Sequence, residues 1–539
     1  MLRAAAGSRR FHAIAVSVKA PFDSANDHPK PASYQVIPGY RPKPGISAGR
    51  PTVTVAVTLA AMGLFAIRTL QGWICRVGAP VVWDYGPAQL AVYLAMVVRG
   101  GALYRDFRLP PFIPLVYGPV IPWLIARIAP LVGTGPMAAL EAGRAATILS
   151  TLAVTAAIFK LARRGGAGAA AAAIAALAFV LSPLVQRWGF EFRVDLPALA
   201  CELWGIWAFG AGLSAPAVAL FVAGFFIKQG QAAGIAAAVL FCWMSGERRR
   251  AIALGAAWLA IVVAAAAILA EIYPWYWLNT FTAIRVAKLD PSALALFFAV
   301  AVGADAGLVI LAGRAMLRRR AIDRLGLCFL GAALLQDSAS CLRWGSNAYY
   351  FLPTIAALAI VAASELDWAI QRAEAFGALK QAAAGLAIGL VLSAGFLLAG
   401  DARAVDLGAI FRPALRCETR QYSRWDPRGL SLLHSIDATV LTDEAELSLV
   451  DTRDNVQWID LMILGAMKTM GTFDDTALVA SIRAREIGAF ALDREMLDRK
   501  FRGRALFWPA LRSAIEENYQ LAPNLGPPWL MMPKSRISR

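Results

Sequence analysis

The sequence predicts an all-α polytopic membrane protein that carries a small α/β region at its C-terminal end. Of its 539 residues, 58% are hydrophobic and only 17% are charged, whereas globular domains usually carry about 25% charged residues. Apolar runs long enough to cross a hydrocarbon core of about 30 Å recur over roughly the first 400 positions. Only helices and closed barrels satisfy the backbone in lipid, and these runs lack the alternation of strands. The pattern therefore predicts about eleven transmembrane helices.

Three regions follow one another along the chain. Residues 1–50 are basic and rich in proline, which is typical of a disordered cytosolic tail. Residues 51–400 are predicted to form the transmembrane domain, with a first span at 52–72 and a long first outer loop at 73–136, whose interrupted apolar pieces indicate interfacial or re-entrant helices. The further predicted spans are 138–161, 167–185, 196–212, 214–227, 230–245, 251–272, 292–313, 324–339, 350–364 and 381–400.

Residues 401–539 have a different composition and predict a soluble extracytoplasmic α/β region. Short strands are predicted at 438–442, 457–459 and 488–492, because apolar residues there stand between turn-forming ones. Helices are predicted at 475–486 and 508–519 from their apolar periodicity.

The orientation follows from the basic residues of the short loops. Thirteen of them lie on one side and six on the other, so the positive-inside rule makes the first side cytoplasmic. The amino terminus then lies inside, and an odd number of spans places the C-terminal region outside. The thirteen are Lys160, Arg163, Arg164, Arg248, Arg249, Arg250, Arg314, Arg318, Arg319, Arg320, Arg324, Arg372 and Lys380.

Charge, cysteine and histidine exclude several classes of protein. The net charge of +17 could suggest a nucleic-acid partner, but the basic residues fall largely at helix ends, so we expect no nucleic acid. The six cysteines show no CxxC or CxxH spacing, and neither a zinc site nor a disulfide framework is expected. The three histidines lie in the terminal regions, which argues against a histidine-based metal or catalytic site.

Polar motifs recur on the predicted outer face: Asp84, Tyr-Arg-Asp at 104–106, Tyr-Gly-Pro at 117–119, Arg-x-Asp at 193–195, Lys-Gln at 228–229 and Gly-Ser-Asn-Ala-Tyr-Tyr-Phe-Leu-Pro at 345–353. In their order and common side, these motifs resemble those of the GT-C superfamily of integral-membrane glycosyltransferases, which includes protein O-mannosyltransferases and aminoarabinose transferases. The resemblance covers roughly residues 52–400. One departure is that the family often has two acidic residues in the first loop, whereas Asp84 is followed by Tyr85.

The resemblance implies transfer of a sugar, a hexose or a pentose, from a polyprenyl-phosphate donor to an envelope lipid, glycan or protein, with inversion. A carboxylate would take the proton of the acceptor. Because the leaving group is a phosphate, no general acid is required, but positive charge from Lys, Arg or a divalent ion such as Mg²⁺ or Mn²⁺ is needed. The resemblance and the Ala/Arg-rich composition also predict a bacterial inner membrane.

Site residues follow from the motifs. Asp84 is predicted to be the base, and Asp195 to be a second acidic position that binds a metal or orients cationic groups. Lys228, Arg193 and Arg343 are candidates for binding the lipid phosphate. Lys228 is the most informative, because a charge in a turn between apolar spans is costly unless it is used or reaches the interface. Tyr104, Asp106 and Tyr117 are predicted to shape the first outer loop.

Two other classes of protein stay open. A transporter or flippase of lipid-linked sugars would share the apolar helices and the intramembrane charges, but it should show internal repeats, and none is evident. An inactive relative that serves as a scaffold would lack the outer acidic and basic positions that are present here.

Overall fold

The structure is a computed structural model, and helices make up most of the residues that it describes. These residues are 52–80, 82, 85–109, 112–285, 289–318, 322–343, 346–399, 426–443, 445–450, 456–492, 500–501, 504–505, 507–523 and 529–534. The predicted tail at 1–50 lies outside these residues. The helices of the first domain are α1 (Val53–Arg76), α2 (Tyr85–Val98), α3 (Val120–Ile128), α4 (Pro136–Arg164), α5 (Ala169–Leu181), α6 (Pro183–Trp188), α7 (Asp195–Gly210), α8 (Ser214–Ile227), α9 (Ala233–Met244), α10 (Arg248–Ile272), α11 (Ala283–Arg285), α12 (Pro291–Ala304), α13 (Ala306–Leu317), α14 (Arg324–Cys341), α15 (Leu352–Ala373) and α16 (Ala378–Ala399).

Every predicted span falls largely on a helix, but the predicted number of about eleven spans is not confirmed. Among the described residues, four helices are long and apolar enough to cross a membrane, namely Val53–Arg76, Pro136–Arg164, Arg248–Ile272 and Ala348–Ala373. A fifth span results if α12 and α13, which meet at an angle of 85°, count as one. Helices such as α5, with 13 residues, are only about 20 Å long at 1.5 Å per residue, so length alone does not make them spans.

The core of the first domain surrounds α15, which is buried along most of its length. It packs against α4, α5, α13 and α14, while α7 packs against α4 and α8. By contrast, α10 leaves large apolar side chains such as Leu259, Val263 and Ile268 exposed. A continuous apolar exterior of this kind is typical of a surface that faces lipid.

The C-terminal region contains a small sheet between helices, as the sequence predicts. The elements are β1 (Val440–Thr442), β2 (Val456–Trp458), β3 (Ala489–Leu492), β6 (Tyr519–Leu521) and β7 (Trp529–Pro533), a separate pair β4 (Lys500–Phe501) and β5 (Arg504–Ala505), and helices α17 (Pro427–His434), α18 (Ala445–Val450), α19 (Leu461–Thr469), α20 (Thr476–Arg483) and α21 (Pro509–Asn518). The five strands of the sheet have the order β2-β1-β3-β7-β6, in which β1 is parallel to β2 and β3, and β7 is antiparallel to β3 and β6.

This region packs directly on the first outer loop. The buried carboxylate of Asp460 accepts a hydrogen bond of 3.2 Å from the side-chain amide of Gln89 on α2, and the Asp460 N–H donates to the carbonyl of Phe112. Glu446 on α18 accepts from the N–H of Val82 at 3.4 Å. Because burial outweighs the hydrogen bonds, the pKa of Asp460 rises to about 7. The C-terminal region therefore restrains the loop on both sides of α2.

Cys75, at the end of α1, is disulfide-bonded, although the cysteine spacing had implied no disulfide framework. Cys75 stands in no CxxC or CxxH spacing, which is why the sequence did not indicate the bond. Cys417 lies outside the described residues. The free cysteines among the described residues are Cys201, Cys242, Cys328 and Cys341.

Candidate functional site

Asp195, Lys228 and Arg193 form one buried cluster at the ends of α7 and α8. The Lys228 ammonium lies 2.6 Å from Oδ1 of Asp195, and Nε of Arg193 lies 3.1 Å from Oδ2. Asp195 is the first residue of α7, where the helix dipole favours a negative charge. These three residues together carry a formal charge of +1, and the buried carboxylates of Glu202 and Asp337 also interact electrostatically with Lys228.

Aromatic rings surround the two cations. The Arg193 guanidinium donates a hydrogen bond to the Tyr349 hydroxyl, and its carbon lies 5.4 Å from the centre of the Trp188 ring. The Lys228 ammonium lies 4.3 Å from the centre of the Tyr350 ring. Such rings stabilise cations by their quadrupoles while keeping water away. The cluster is therefore a desolvated site whose positive groups are held in place.

The turn between α8 and α9 presents Lys228. The helix α8 ends at Ile227, and the Lys228 N–H still donates to the Gly224 carbonyl at 3.0 Å. Gly230 has a φ of +90°, a conformation that favours glycine, and it reverses the chain. The lysine is largely buried, with 15% of its side chain exposed. The cost of burying its charge is offset by Asp195 and by the ring above it.

The first outer loop approaches this turn very closely. A Cβ atom on Gly118 would lie 1.9 Å from the Phe226 carbonyl oxygen, so only glycine fits between the loop and the end of α8. Tyr117 precedes this contact, and its carbonyl accepts a hydrogen bond of 2.8 Å from the Tyr104 hydroxyl. The Tyr104 ring is buried and makes edge contacts with other tyrosine rings. These contacts bring the loop beside Lys228.

Asp106 lies at the surface of the same loop. It forms two hydrogen bonds of 2.8 Å with Arg108, and these hold the pKa of Asp106 below its usual value. Asn279, which the sequence did not single out, fixes the loop from the other side. Its Oδ1 accepts from the Leu115 N–H at 2.9 Å and its Nδ2 donates to the Arg105 carbonyl at 2.8 Å. Tyr104, Asp106 and Tyr117 thus make contacts that suit a structural role in the loop, which stays a prediction.

Asp84 lies outside the described residues, but the chain on both sides of it is anchored. The buried Arg144 on α4 donates to the carbonyls of Arg76, Val77 and Ala79, the last at 2.6 Å. Arg144 also lies 3.6 Å from the buried carboxylate of Glu191. After Asp84, α2 begins at Tyr85. The assignment of Asp84 as base stays a prediction.

Arg343 is exposed at the end of α14, and its backbone forms an isolated bridge with Leu289. The contacts recorded for the described residues do not join Arg343 to Asp195, so a role in phosphate binding stays a prediction. Sequence reasoning missed Tyr349 and Trp188 as partners of Arg193. Tyr349 stands in a motif that the sequence had indicated. Arg193 and Tyr349 are 156 positions apart, however, and nothing in the local sequence indicates that they pair.

Metal binding by Asp195 was one of two predicted roles. Both of its carboxylate oxygens are engaged, one by Lys228 and one by Arg193. Among the described residues, no group of three His, Cys, Asp or Glu side chains converges in a way that could hold a metal ion. The geometry of this cluster therefore favours the other role, which is to orient the cationic groups.

Together, the fold and the cluster define a class: an integral membrane protein with apolar helices and a buried site that holds two cations at the ends of two of them. Residues 116–277 match the family described as dolichyl-phosphate-mannose-protein mannosyltransferase. This segment contains Tyr117, Arg193, Asp195 and Lys228, four of the predicted site residues.

Solved structures share the architecture. The crystal structure of ArnT from Cupriavidus metallidurans in the apo state has a TM-score of 0.56 and 13% identity, over 88% of this chain and 98% of that one. ArnT from the same organism bound to undecaprenyl phosphate has a TM-score of 0.55 and 14% identity, over 89% and 96% of the chains. The archaeal oligosaccharyltransferase AglB from Archaeoglobus fulgidus is more distant, with a TM-score of 0.46 and 13% identity, over 90% of this chain and 74% of that one. No curated protein matches the chain.

The family match and the ArnT fold confirm the resemblance to the GT-C superfamily of membrane glycosyltransferases that the motifs predicted.

Proposed function

We propose that this protein is a membrane glycosyltransferase that moves a sugar from a polyprenyl-phosphate donor to an envelope acceptor at the outer face of a bacterial inner membrane. The observation that carries the proposal is the cluster of Asp195, Lys228 and Arg193, which places two buried cations side by side in an ArnT-like fold. One of the similar ArnT structures is bound to undecaprenyl phosphate, which supports a lipid phosphate as the ligand of this site.

The chemistry assigned to these residues is an inverting displacement. Asp84 takes the proton of the acceptor hydroxyl or amine while the acceptor attacks the anomeric carbon from the face opposite the phosphate. The bond from the anomeric carbon to the phosphate oxygen breaks, and its electron pair leaves with the phosphate. Lys228 and Arg193 stabilise the charge that grows on that group, in a site from which the aromatic rings exclude water. Asp195 holds both cations in place.

Two observations support an outer location for the site. The loops that carry Arg193 and Lys228 belong to the side with fewer basic residues. Cys75, at the end of α1 where the first outer loop begins, is disulfide-bonded, and disulfides persist in oxidising compartments such as the periplasm. Both observations favour a cytoplasmic amino terminus and an extracytoplasmic C-terminal region.

The test is transfer by the purified protein in nanodiscs, supplied with radiolabelled polyprenyl-phosphate sugars and envelope lipid extracts. Wild type should transfer the sugar, and Asp84→Asn should bind the donor without transferring it, because the amide keeps the shape but cannot take the proton. If both proteins transfer equally, Asp84 is not the base and Asp195 is the next candidate.

The same assay addresses the alternatives. If EDTA abolishes transfer and Mg²⁺ or Mn²⁺ restores it, the reaction requires a divalent metal ion. Movement of intact lipid-linked sugar across a vesicle membrane without transfer would favour the flippase. Absence of both activities, with every acceptor class supplied, would favour the inactive scaffold.

A further inference from the structure

The first turn of α9 is capped by side chains of two other helices. A helix begins with N–H groups that have no partner inside it, and Ala232, which precedes α9, has no side-chain atom to accept from them. The side-chain oxygen of Gln336 on α14 accepts from the N–H groups of Ala232, at 2.6 Å, and Ala233, at 2.8 Å. Glu202 on α7 accepts from the Gly234 N–H at 2.9 Å.

Glu202 makes a second contact with the same turn. Its other carboxylate oxygen accepts a hydrogen bond of 2.7 Å from the side-chain amide of Gln231. Glu202 is buried, with 1% of its surface exposed, and a buried carboxylate is costly unless hydrogen bonds satisfy it. Four consecutive residues, 231–234, therefore each donate a hydrogen bond to Glu202 or Gln336.

These contacts hold the turn that carries Lys228. The Gln231 N–H donates to the Lys228 carbonyl at 3.1 Å, so the turn closes directly onto the capped residues. On α7, Asp195 and Glu202 are seven residues apart, which is about two turns and places them on one face of the helix. One helix thus contacts the lysine side chain through Asp195 and the rest of the turn through Glu202.

We infer that Glu202 and Gln336 are positioning residues that clamp the turn at 228–234 and thereby hold the Lys228 ammonium where it binds the donor phosphate. The inference rests on the proposed function. Neither residue touches the phosphate, and both act through the backbone of the turn. Loosening the clamp should leave the fold in place but let the ammonium leave its position beside Asp195.

The test compares three variants with wild type. Gln336→Met keeps the length of the side chain and removes the acceptor, whereas Gln336→Glu keeps an acceptor oxygen. Gln371→Met is the matched control, since Gln371 is an exposed glutamine whose amide donates to Asp367 away from the turn. Hydrogen–deuterium exchange of the peptides covering 228–234 reports on the clamp. The dissociation constant for undecaprenyl phosphate reports on the site.

Gln336→Met should raise amide exchange in the turn by about tenfold, because two hydrogen bonds are lost there. Exchange in α15 should not change, and binding of undecaprenyl phosphate should weaken by about tenfold. Gln336→Glu should restore both readouts, and Gln371→Met should alter neither. A merely structural role would not give a loss of binding confined to the variant that loosens the turn.

Unchanged exchange in Gln336→Met would overturn the clamp, and faster exchange with unchanged binding would overturn the positioning role. If wild type itself fails to bind undecaprenyl phosphate, the proposed function fails together with this inference. If wild type binds undecaprenyl phosphate and Gln336→Met binds it equally well despite its loosened turn, only the inference is overturned.

Discussion

Replacing Lys228 by methionine removes both contacts assigned to its ammonium, the ion pair with Asp195 and the bond to the donor phosphate. The methionine keeps most of the apolar stem but loses the contact between the ammonium and the Tyr350 ring. Removing one partner of a buried ion pair typically costs about 3–5 kcal/mol. Arg193 still lies 3.1 Å from Asp195, so we expect destabilisation near the lower end of that range. A lost charge-assisted hydrogen bond to phosphate, worth about 1.5–3 kcal/mol, weakens donor binding by roughly ten- to 150-fold.

The double variant Lys228→Met with Asp195→Asn distinguishes these roles. Asp195→Asn also leaves Arg193 without the carboxylate that it contacts, so the melting temperature should not recover. The losses of the two single changes should nevertheless be less than additive, because both changes remove the same ion pair. Donor binding should not recover, because the phosphate still lacks the ammonium. Lys160→Met serves as the control, since Lys160 is an exposed lysine near the end of α4 and should alter neither the melting temperature nor the affinity.

The assays are the melting temperature of the purified protein and its dissociation constant for undecaprenyl phosphate. Recovery of the affinity in the double variant would refute the reasoning, because Lys228 would then act only as the partner of Asp195. Unchanged affinity in the single variant would refute it equally.

Three further predictions concern the surroundings of the site. Gly118→Ala should lower the melting temperature and abolish donor binding, because the new Cβ would lie 1.9 Å from the Phe226 carbonyl oxygen; wild-type behaviour of this variant would contradict the close approach. The pKa of Asp460 is raised to about 7, so the folded state binds more protons than the unfolded state between about pH 4 and 7, and stability falls as the pH rises through this window. In Asp460→Asn, the melting temperatures measured at pH 5 and pH 8 should differ less than they do in wild type. If the difference is as large as in wild type, other groups cause the pH dependence. Cys75 should react with a maleimide only after reduction, and labelling without reductant, read by mass spectrometry of its peptide, would show that the bond does not form.

The sequence predicted the helices well because apolar runs report directly on burial in lipid. It could not give the number of spans, because a run such as 292–313 does not reveal that the chain bends by 85° at Asp305. The proximity of Asp195 and Lys228 was within reach of sequence reasoning. One residue starts α7 and the other follows α8, and two adjacent antiparallel helices bring those ends to the same side.

Other parts of the site could not be predicted. Gln336 caps α9 from 104 positions further along the chain, and nothing in the local sequence of either segment indicates that contact. In the C-terminal region, strands β1, β2 and β3 were predicted from their apolar residues. Strand β7 was missed, because Pro533 at its end argues against a strand and its register depends on β3 and β6.

The packing of the C-terminal region on the first outer loop also has a consequence for how the protein is made. Phe107 and Phe112 belong to the same apolar core as Leu464, Ile482 and Ile515. The loop is synthesised early and these partners late. Its aromatic side chains therefore stay without their packing partners until the C-terminal region has been translated. A fragment consisting only of the C-terminal region would lack part of its own core and should expose apolar surface, which favours aggregation. The membrane domain is therefore a template on which the last part of the chain completes its folding.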